Sequence, residues 1–257
     1  MSKKIVFFDI DGTLLDHDKK IPVSTKEAIA KLKENGIIVA IATGRAPFMF
    51  REILEELDIQ SFVSLNGQYA VYNGEVIHEQ PYSEQQMCEL VTFSKDHNHP
   101  LVFQSSDEMS STVLDHPHIL EGMSSLKREQ PNVDEEFYKK KPVYQVLLFN
   151  QNYEQKKYEE AFDYLRFVRW HEFSCDVLPQ NGSKAHGIEQ FIQHLNINWE
   201  DTYAFGDGLN DIEMIEKVNY GVVMGNGEDV VKEKAYYVTS DVAEDGIKKG
   251  LEKLNLI

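Results

Sequence analysis

Two aspartates two residues apart, Asp9 and Asp11, stand at the end of the apolar run Ile5-Val6-Phe7-Phe8 and lead straight into Gly12-Thr13. Two anions that close repel each other, and desolvating them is costly unless a cation joins them. A hard divalent ion such as Mg2+ suits the pair, because it takes oxygen ligands and few of them from protein. A turn cap, with Asp11 bonding backbone amides ahead of the glycine, is the plainer alternative. Further along, Thr43-Gly44-Arg45 sets a hydroxyl and a glycine where backbone can approach a ligand. That is a small phosphate cradle or an ordinary strand-to-helix turn. Gly206-Asp207-Gly208-Leu209-Asn210-Asp211 adds carboxylates among glycines, although Asn210 or Asp211 also suits the cap of a helix over 212–216. Lys184 falls in the first turn of an amphipathic segment carrying Ile188, Phe191, Ile192 and Leu195. A cation there opposes the helix dipole, which makes sense if it shares an anionic ligand; a solvated lysine is the alternative.

The elements that hold these residues share one form. The runs 5–8, 36–42 and 202–205 are apolar without alternation, as in parallel strands buried on both faces. Each cluster follows such a run, and in open α/β sheets chemistry collects beyond the carboxyl ends of the strands. A helix capped by Ser24 or Thr25 and closed by Gly36 joins the first two strands, giving a βαβ unit. A helix over 48–57, a strand over 62–65 and an Asn73-Gly74 hairpin over 70–77 follow. From 83 to about 180 the pattern reads αββαββ, an antiparallel sheet with helices on one face. Within it, 121–141 reads as a long loop with a short helix. Strand–helix alternation resumes after Pro179. The expectation is an α/β protein: a Rossmann-like parallel core over 1–82 and 181–257, with an α+β cap inserted over 83–180.

Taken jointly and in this order, Asp9-Ile10-Asp11-Gly12-Thr13-Leu14, Thr43-Gly44-Arg45, Lys184 and Gly206 to Asp211 resemble the haloacid dehalogenase-like phosphohydrolases. Within them they resemble the Cof-type branch, which also tends to carry Asn-Gly where Ser64-Leu65-Asn66-Gly67 stands. The resemblance covers the two ends of the chain, and the middle shares only length and broad pattern. It implies a phosphatase of small phosphorylated metabolites, with a phosphomutase or an inert phosphometabolite-binding module as alternatives. It implies Asp9 as nucleophile and Asp11 as general acid and base, the latter with a pKa raised by the crowded carboxylates. Mg2+ would be held by Asp9, the Asp11 carbonyl and Asp207, with Asp211 behind them. Thr43, Gly44, Lys184, Asn210 and the Ile10 amide would take the phosphoryl oxygens. The cap of such proteins closes over the site, and its side chains choose the leaving group.

Composition narrows the partners. A net charge of −17 argues against nucleic acid and anionic membrane surfaces, but not against a phosphate held at a locally positive site. Two cysteines, Cys88 and Cys175, have no metal or disulfide spacing and fit a reducing compartment. The first strand begins directly after Met1-Ser2-Lys3-Lys4, with no room for a signal peptide, so a cytoplasmic location is expected. Oligomeric state is not legible. His97-x-His99 and His116-x-His118 read as solvated loop residues of the cap, and Lys139-Lys140-Lys141 as a solvated face.

Overall fold

The computed structural model describes residues 3–257. Along the chain it opens with β1 (Ile5–Phe8), α1 (Val23–Glu34), β2 (Ile38–Ala42), α2 (Arg51–Glu56), β3 (Phe62–Ser64), β4 (Tyr69–Tyr72) and β5 (Glu75–Glu79). Then come α3 (Glu84–Asp96), β6 (Leu101–Gln104), β7 (Met109–Ser111), α4 (Pro117–Ser125), β8 (Gln145–Phe149), α5 (Gln155–Ala161), β9 (Leu165–His171) and β10 (Ser174–Pro179). It closes with α6 (Lys184–Leu195), β11 (Thr202–Gly206), α7 (Ile212–Lys217), β12 (Tyr220–Val223), α8 (Asp229–Lys232), β13 (Tyr237–Val238) and α9 (Gly246–Lys253). Contacts divide these into two compact units: Met1–Arg45, Met49–His78 and Ser183–Ile257 form one, Ala46–Phe48 and Glu79–Gly182 the other.

The first unit is built on a sheet ordered β13-β12-β11-β1-β2-β3-β4-β5. Its pairs from β13 to β3 are parallel, and β4 returns antiparallel to β3. All four residues of β1 are fully buried, because helices cover both faces. Alternation sends Val6 and Phe8 to one face, where Ile29 and Leu32 of α1 and Ile247 and Leu251 of α9 pack. Ile5 and Phe7 go to the other, against Ile188, Phe191 and Ile192 of α6 and Met214 and Ile215 of α7. Asn73 and Gly74 take φ of 48° and 82°, the left-handed pair that a two-residue hairpin turn needs.

The second unit is an antiparallel sheet ordered β7-β6-β8-β10-β9. Leu101, Phe103, Val146, Leu148, Cys175 and Val177 form one face with Met87 and Leu90 of α3 and Tyr158 of α5. Val102, Leu147 and Phe149 form the other, against Ile119 and Met123 of α4.

Several local expectations change. Helices lie on both faces of the second sheet and not on one, because α4 packs on the face opposite α3 and α5. Only Ile119 and Met123 mark its buried stripe, too short a pattern to register in the sequence. The three-residue β7 escaped for the same reason. Neither Ser24 nor Thr25 caps α1: the helix begins at Val23 behind Pro22, whose φ of −57° presets the turn. The segment 48–57 splits at Phe50, whose φ of −131° separates the turn Pro47–Met49 from α2.

Candidate active site

Register builds the site. Phe8 pairs with Phe205 of β11 on one side and with Ile41 of β2 on the other. Asp9 therefore leaves the central strand between the ends of its two neighbours, where Gly206-Asp207 and Thr43-Gly44 begin. The Asp9 amide continues the ladder, donating to the Phe205 carbonyl at 2.9 Å.

At that edge Asp9, Asp207 and Asp211 each offer an oxygen within 4.8 Å of the others. Lys184 joins two of them from the first turn of α6, its Nζ donating to Asp9 Oδ1 at 2.5 Å and to Asp211 Oδ1 at 2.6 Å. The lysine side chain is completely buried, so the ion pairs and not solvent hold its charge. Ser183 caps that turn by accepting from the His186 amide, which fixes where Lys184 enters. Asp211 does not cap α7 with its side chain. Its Oδ2 turns back to accept from the Asp207 and Gly208 amides at 3.0 and 2.9 Å. Asp207 is steadied in turn by Thr13, whose hydroxyl donates to its Oδ1 at 2.9 Å.

Asp11 stands apart from this cluster. Arg45 donates to both its oxygens, Nε to Oδ2 at 2.8 Å and Nη2 to Oδ1 at 2.6 Å, and Lys19 adds a bond at 2.7 Å. The expectation of a raised Asp11 pKa is corrected. Burial alone would raise it, but Arg45 and Lys19 outweigh burial and hold the carboxyl below its ordinary 3.8. The crowding falls on other groups. Burial, reinforced by Asp211, pushes Asp207 up to about 6. Burial also raises Asp9 well above 3.8, Lys184 opposing and the neighbouring aspartates adding to it. Lys184 itself moves upward, because Asp211 and Asp9 more than offset its desolvation.

The donor set suits a hard cation. Three carboxylates face one ammonium, leaving excess negative charge, and every ligand atom is oxygen, which favours a Mg2+-like ion over a thiolate- or imidazole-seeking one. Asp211 has spent its oxygens on Lys184 and two amides, so Asp9 and Asp207 carry the lone pairs best placed for a metal.

The remaining expected residues lie around this edge. Thr43 is buried and its hydroxyl accepts from the Arg45 amide at 3.1 Å, a turn bond that leaves the hydroxyl proton for another acceptor. Gly44 packs against the side chain of Asn66. Asn210 reaches the same side chain, its Nδ2 donating to Asn66 Oδ1 at 3.4 Å. The Ile10 side chain is buried in the core, and its carbonyl closes the turn by accepting from the Thr13, Leu14 and Leu15 amides. Lys19 and the structural part of Thr13 were not foreseen. Nor was Asn226, which donates to the Gly12 carbonyl at 2.8 Å and accepts from the Val242 amide at 2.9 Å. A signal existed for it: Gly225-Asn226-Gly227 follows β12 as the other clusters follow their strands.

Elsewhere, two histidines depart from expectation. His99 is buried, with Nδ1 2.8 Å from the Tyr158 hydroxyl and Nε2 3.0 Å from Glu154. His116 caps α4, accepting from the His118 amide. Among the described residues no helix is long and apolar enough to cross a membrane.

A Rossmann-like parallel sheet with carboxylates and a buried lysine at its carboxyl edge defines a class of phosphoryl-transfer enzymes. The sequence profile of the haloacid dehalogenase-like hydrolases matches residues 6–251, and the chain belongs to that family, in its Cof-type branch. It is 50% identical over 257 residues, the whole of both chains, to YkrA of Bacillus subtilis (strain 168), named as a candidate phosphatase. The fold matches that of BT1666 from Bacteroides thetaiotaomicron, described among phosphatases of the superfamily. The TM-score is 0.93 at 27% identity, covering 100% of this chain and 96% of that one. The sugar phosphatase BT4131, of subclass IIB, matches with a TM-score of 0.87 at 30% identity over 99% of this chain and 100% of its own. The chain is thus a phosphatase of this family, acting on phosphorylated substrates.

Proposed function

We propose that the chain is a Mg2+-dependent phosphatase of small phosphorylated metabolites, with sugar phosphates the first class to test, working through an aspartyl-phosphate on Asp9. The observation that carries this reading is the buried Lys184 bridging Asp9 and Asp211 beside Asp207. The sugar-phosphate choice rests on the likeness to BT4131.

Asp9 attacks phosphorus as its ester P–O bond breaks, and Asp11 gives a proton to the departing oxygen. Asp11 then takes a proton from the water that hydrolyses the aspartyl-phosphate, releasing phosphate and restoring Asp9. Because Arg45 holds Asp11 ionised, Arg45 must release it, and the freed carboxylate must take a proton from solvent, before it can donate; an incoming phosphate is the anion that competes for the guanidinium. Lys184, the Thr43 hydroxyl, Gly44, Asn210 and the Ile10 amide take the phosphoryl oxygens. Asp211 keeps Lys184 in place and shapes the 207–208 turn. Mg2+, held by Asp9, Asp207 and the Asp11 carbonyl, would supply positive charge to the phosphoryl group. Two free cysteines suit a reducing compartment such as the cytoplasm.

The test is phosphate release from p-nitrophenyl phosphate, and from a panel of sugar phosphates, with Mg2+ and with EDTA, for wild type and Asp9→Asn. Release that needs the metal and disappears in Asp9→Asn is expected. Release that persists in Asp9→Asn defeats the covalent route, and binding without release defeats the phosphatase reading.

A further inference from the structure

The segment after β3 adopts a conformation that its side chains disfavour. Leu65, Asn66 and Gly67 are consecutive left-handed residues, with φ of 51°, 50° and 95°. Glycine accepts that region freely and asparagine tolerates it, but a leucine there is uncommon and persists only where its surroundings impose it. They do so here. The Leu65 amide donates to the Arg45 carbonyl at 3.2 Å, the Asn66 amide to the Thr43 carbonyl at 3.1 Å, and the Leu65 side chain is fully buried. On the far side, Gly67 lies so close to the first turn of α6 that a Cβ would sit 2.0 Å from the Ser183 carbonyl oxygen. The strained run is thus held between the Thr43–Arg45 tip and the turn that carries Lys184.

What the strain delivers is the Asn66 side chain. Its amide lies against Gly44, where a Cβ would meet Nδ2 at 3.0 Å and Oδ1 at 3.1 Å, and Oδ1 accepts from Asn210. One amide therefore touches two of the elements assigned above to the phosphoryl group. Those elements come from strands far apart in sequence, and the Asn210 side chain is on an exposed turn. We propose that Asn66 is a positioning residue: its left-handed backbone aims a side-chain amide that fixes Asn210 beside the Thr43–Gly44 tip for phosphate binding. This rests on the phosphatase reading and assigns a residue that reading does not use.

A double-mutant cycle over Asn66→Gly and Asn210→Ala tests it, because glycine keeps the left-handed backbone and removes only the amide. The readouts are Tm, kcat and KM on p-nitrophenyl phosphate with Mg2+, and the Tm shift produced by inorganic phosphate. Asn66→Gly is expected to hold its Tm while losing about tenfold in kcat/KM, the scale of one hydrogen bond, and to weaken the phosphate shift. Asn210→Ala is expected to do the same, and the double variant to be little worse than either. Additive losses, or an Asn66→Gly loss that follows a lowered Tm, overturn the inference while leaving the phosphatase reading intact. A wild type that hydrolyses nothing but is shifted by phosphate overturns the phosphatase reading alone, and the cycle is then read in the phosphate shift. A wild type that does neither overturns both.

Discussion

Arg45 grips Asp11 with two arms of its guanidinium, at 2.8 and 2.6 Å, although 34 residues separate them. The fork satisfies both carboxylate oxygens and fixes the orientation of the side chain. Its main chemical consequence is that the carboxylate expected to act as acid and base has its pKa lowered, while those of Asp9 and Asp207 beside it are raised.

Substituting Arg45 by Met should release that hold. Burial, the largest single influence on Asp11, then acts with less opposition, and the carboxyl pKa rises. The limb of the kcat/KM profile that belongs to Asp11 should move to higher pH, and Lys19→Met should move it less. Profiles unchanged by both substitutions would show that Asp11 is not the titrating group.

Lys184→Met should weaken both fold and turnover. The substitution strands Asp9 and Asp211 as buried charges, a loss of about 3–5 kcal/mol where ionised partners stay buried. Urea unfolding should show the deficit at neutral pH and a smaller one in mild acid, where the Asp9 carboxyl, its pKa already raised by burial, takes up a proton. Turnover should fall by about 2–4 kcal/mol in the barrier, the scale of one preorganised donor. Activity within a few-fold of wild type would remove Lys184 from the phosphoryl site.

Protons and metal should compete. Asp207 has an ordinary pKa of 3.8 and is pushed up to about 6 in the folded, metal-free chain. Between those values the folded state holds a proton that the unfolded state has lost, so stability falls as pH rises through the window. Asp9, also raised, acts in the same direction. Mg2+ should therefore raise Tm strongly at about pH 7.5 and little at about pH 5, with a gain near 2.7 kcal/mol at roughly a hundredfold excess over Kd. Calorimetry with Mg2+ or EDTA across that range is the check, and equal shifts at both ends would contradict it.

The buried His99 predicts a second pH effect, in the other unit. Burial lowers its pKa below the ordinary 6.5, against the opposing pull of Glu154. The unfolded chain then binds the proton more readily, so this contribution to stability is present above about 6.5 and is lost as pH falls toward the folded value. His99→Gln should flatten that part of the Tm–pH curve. A wild-type slope retained in the variant would assign the effect elsewhere.

The legibility of this chain follows the range of its interactions. β1, β11 and α6 stand almost where the residues place them, because two unbroken apolar runs and an amphipathic stripe are local patterns. α4 was not legible: two buried side chains on one short helix give no period, and what orders it is Phe149, on a strand far along the chain. His99 misled for a similar reason, since its partner Tyr158 is 59 residues away.

The sequence by itself determined that Asp9, Thr43 and Asp207 would stand at strand ends, because fully buried parallel strands are apolar throughout and stop where glycine and carboxylate begin. Tertiary structure alone decided what each carboxylate would become. Setting β1 between β2 and β11 brings Lys184 to Asp9 across 175 residues and Arg45 to Asp11 across 34. Desolvation and charge act through space, over a few ångströms. The same residue type is therefore raised at Asp9 and Asp207 and lowered at Asp11 by neighbours that only the folded register supplies.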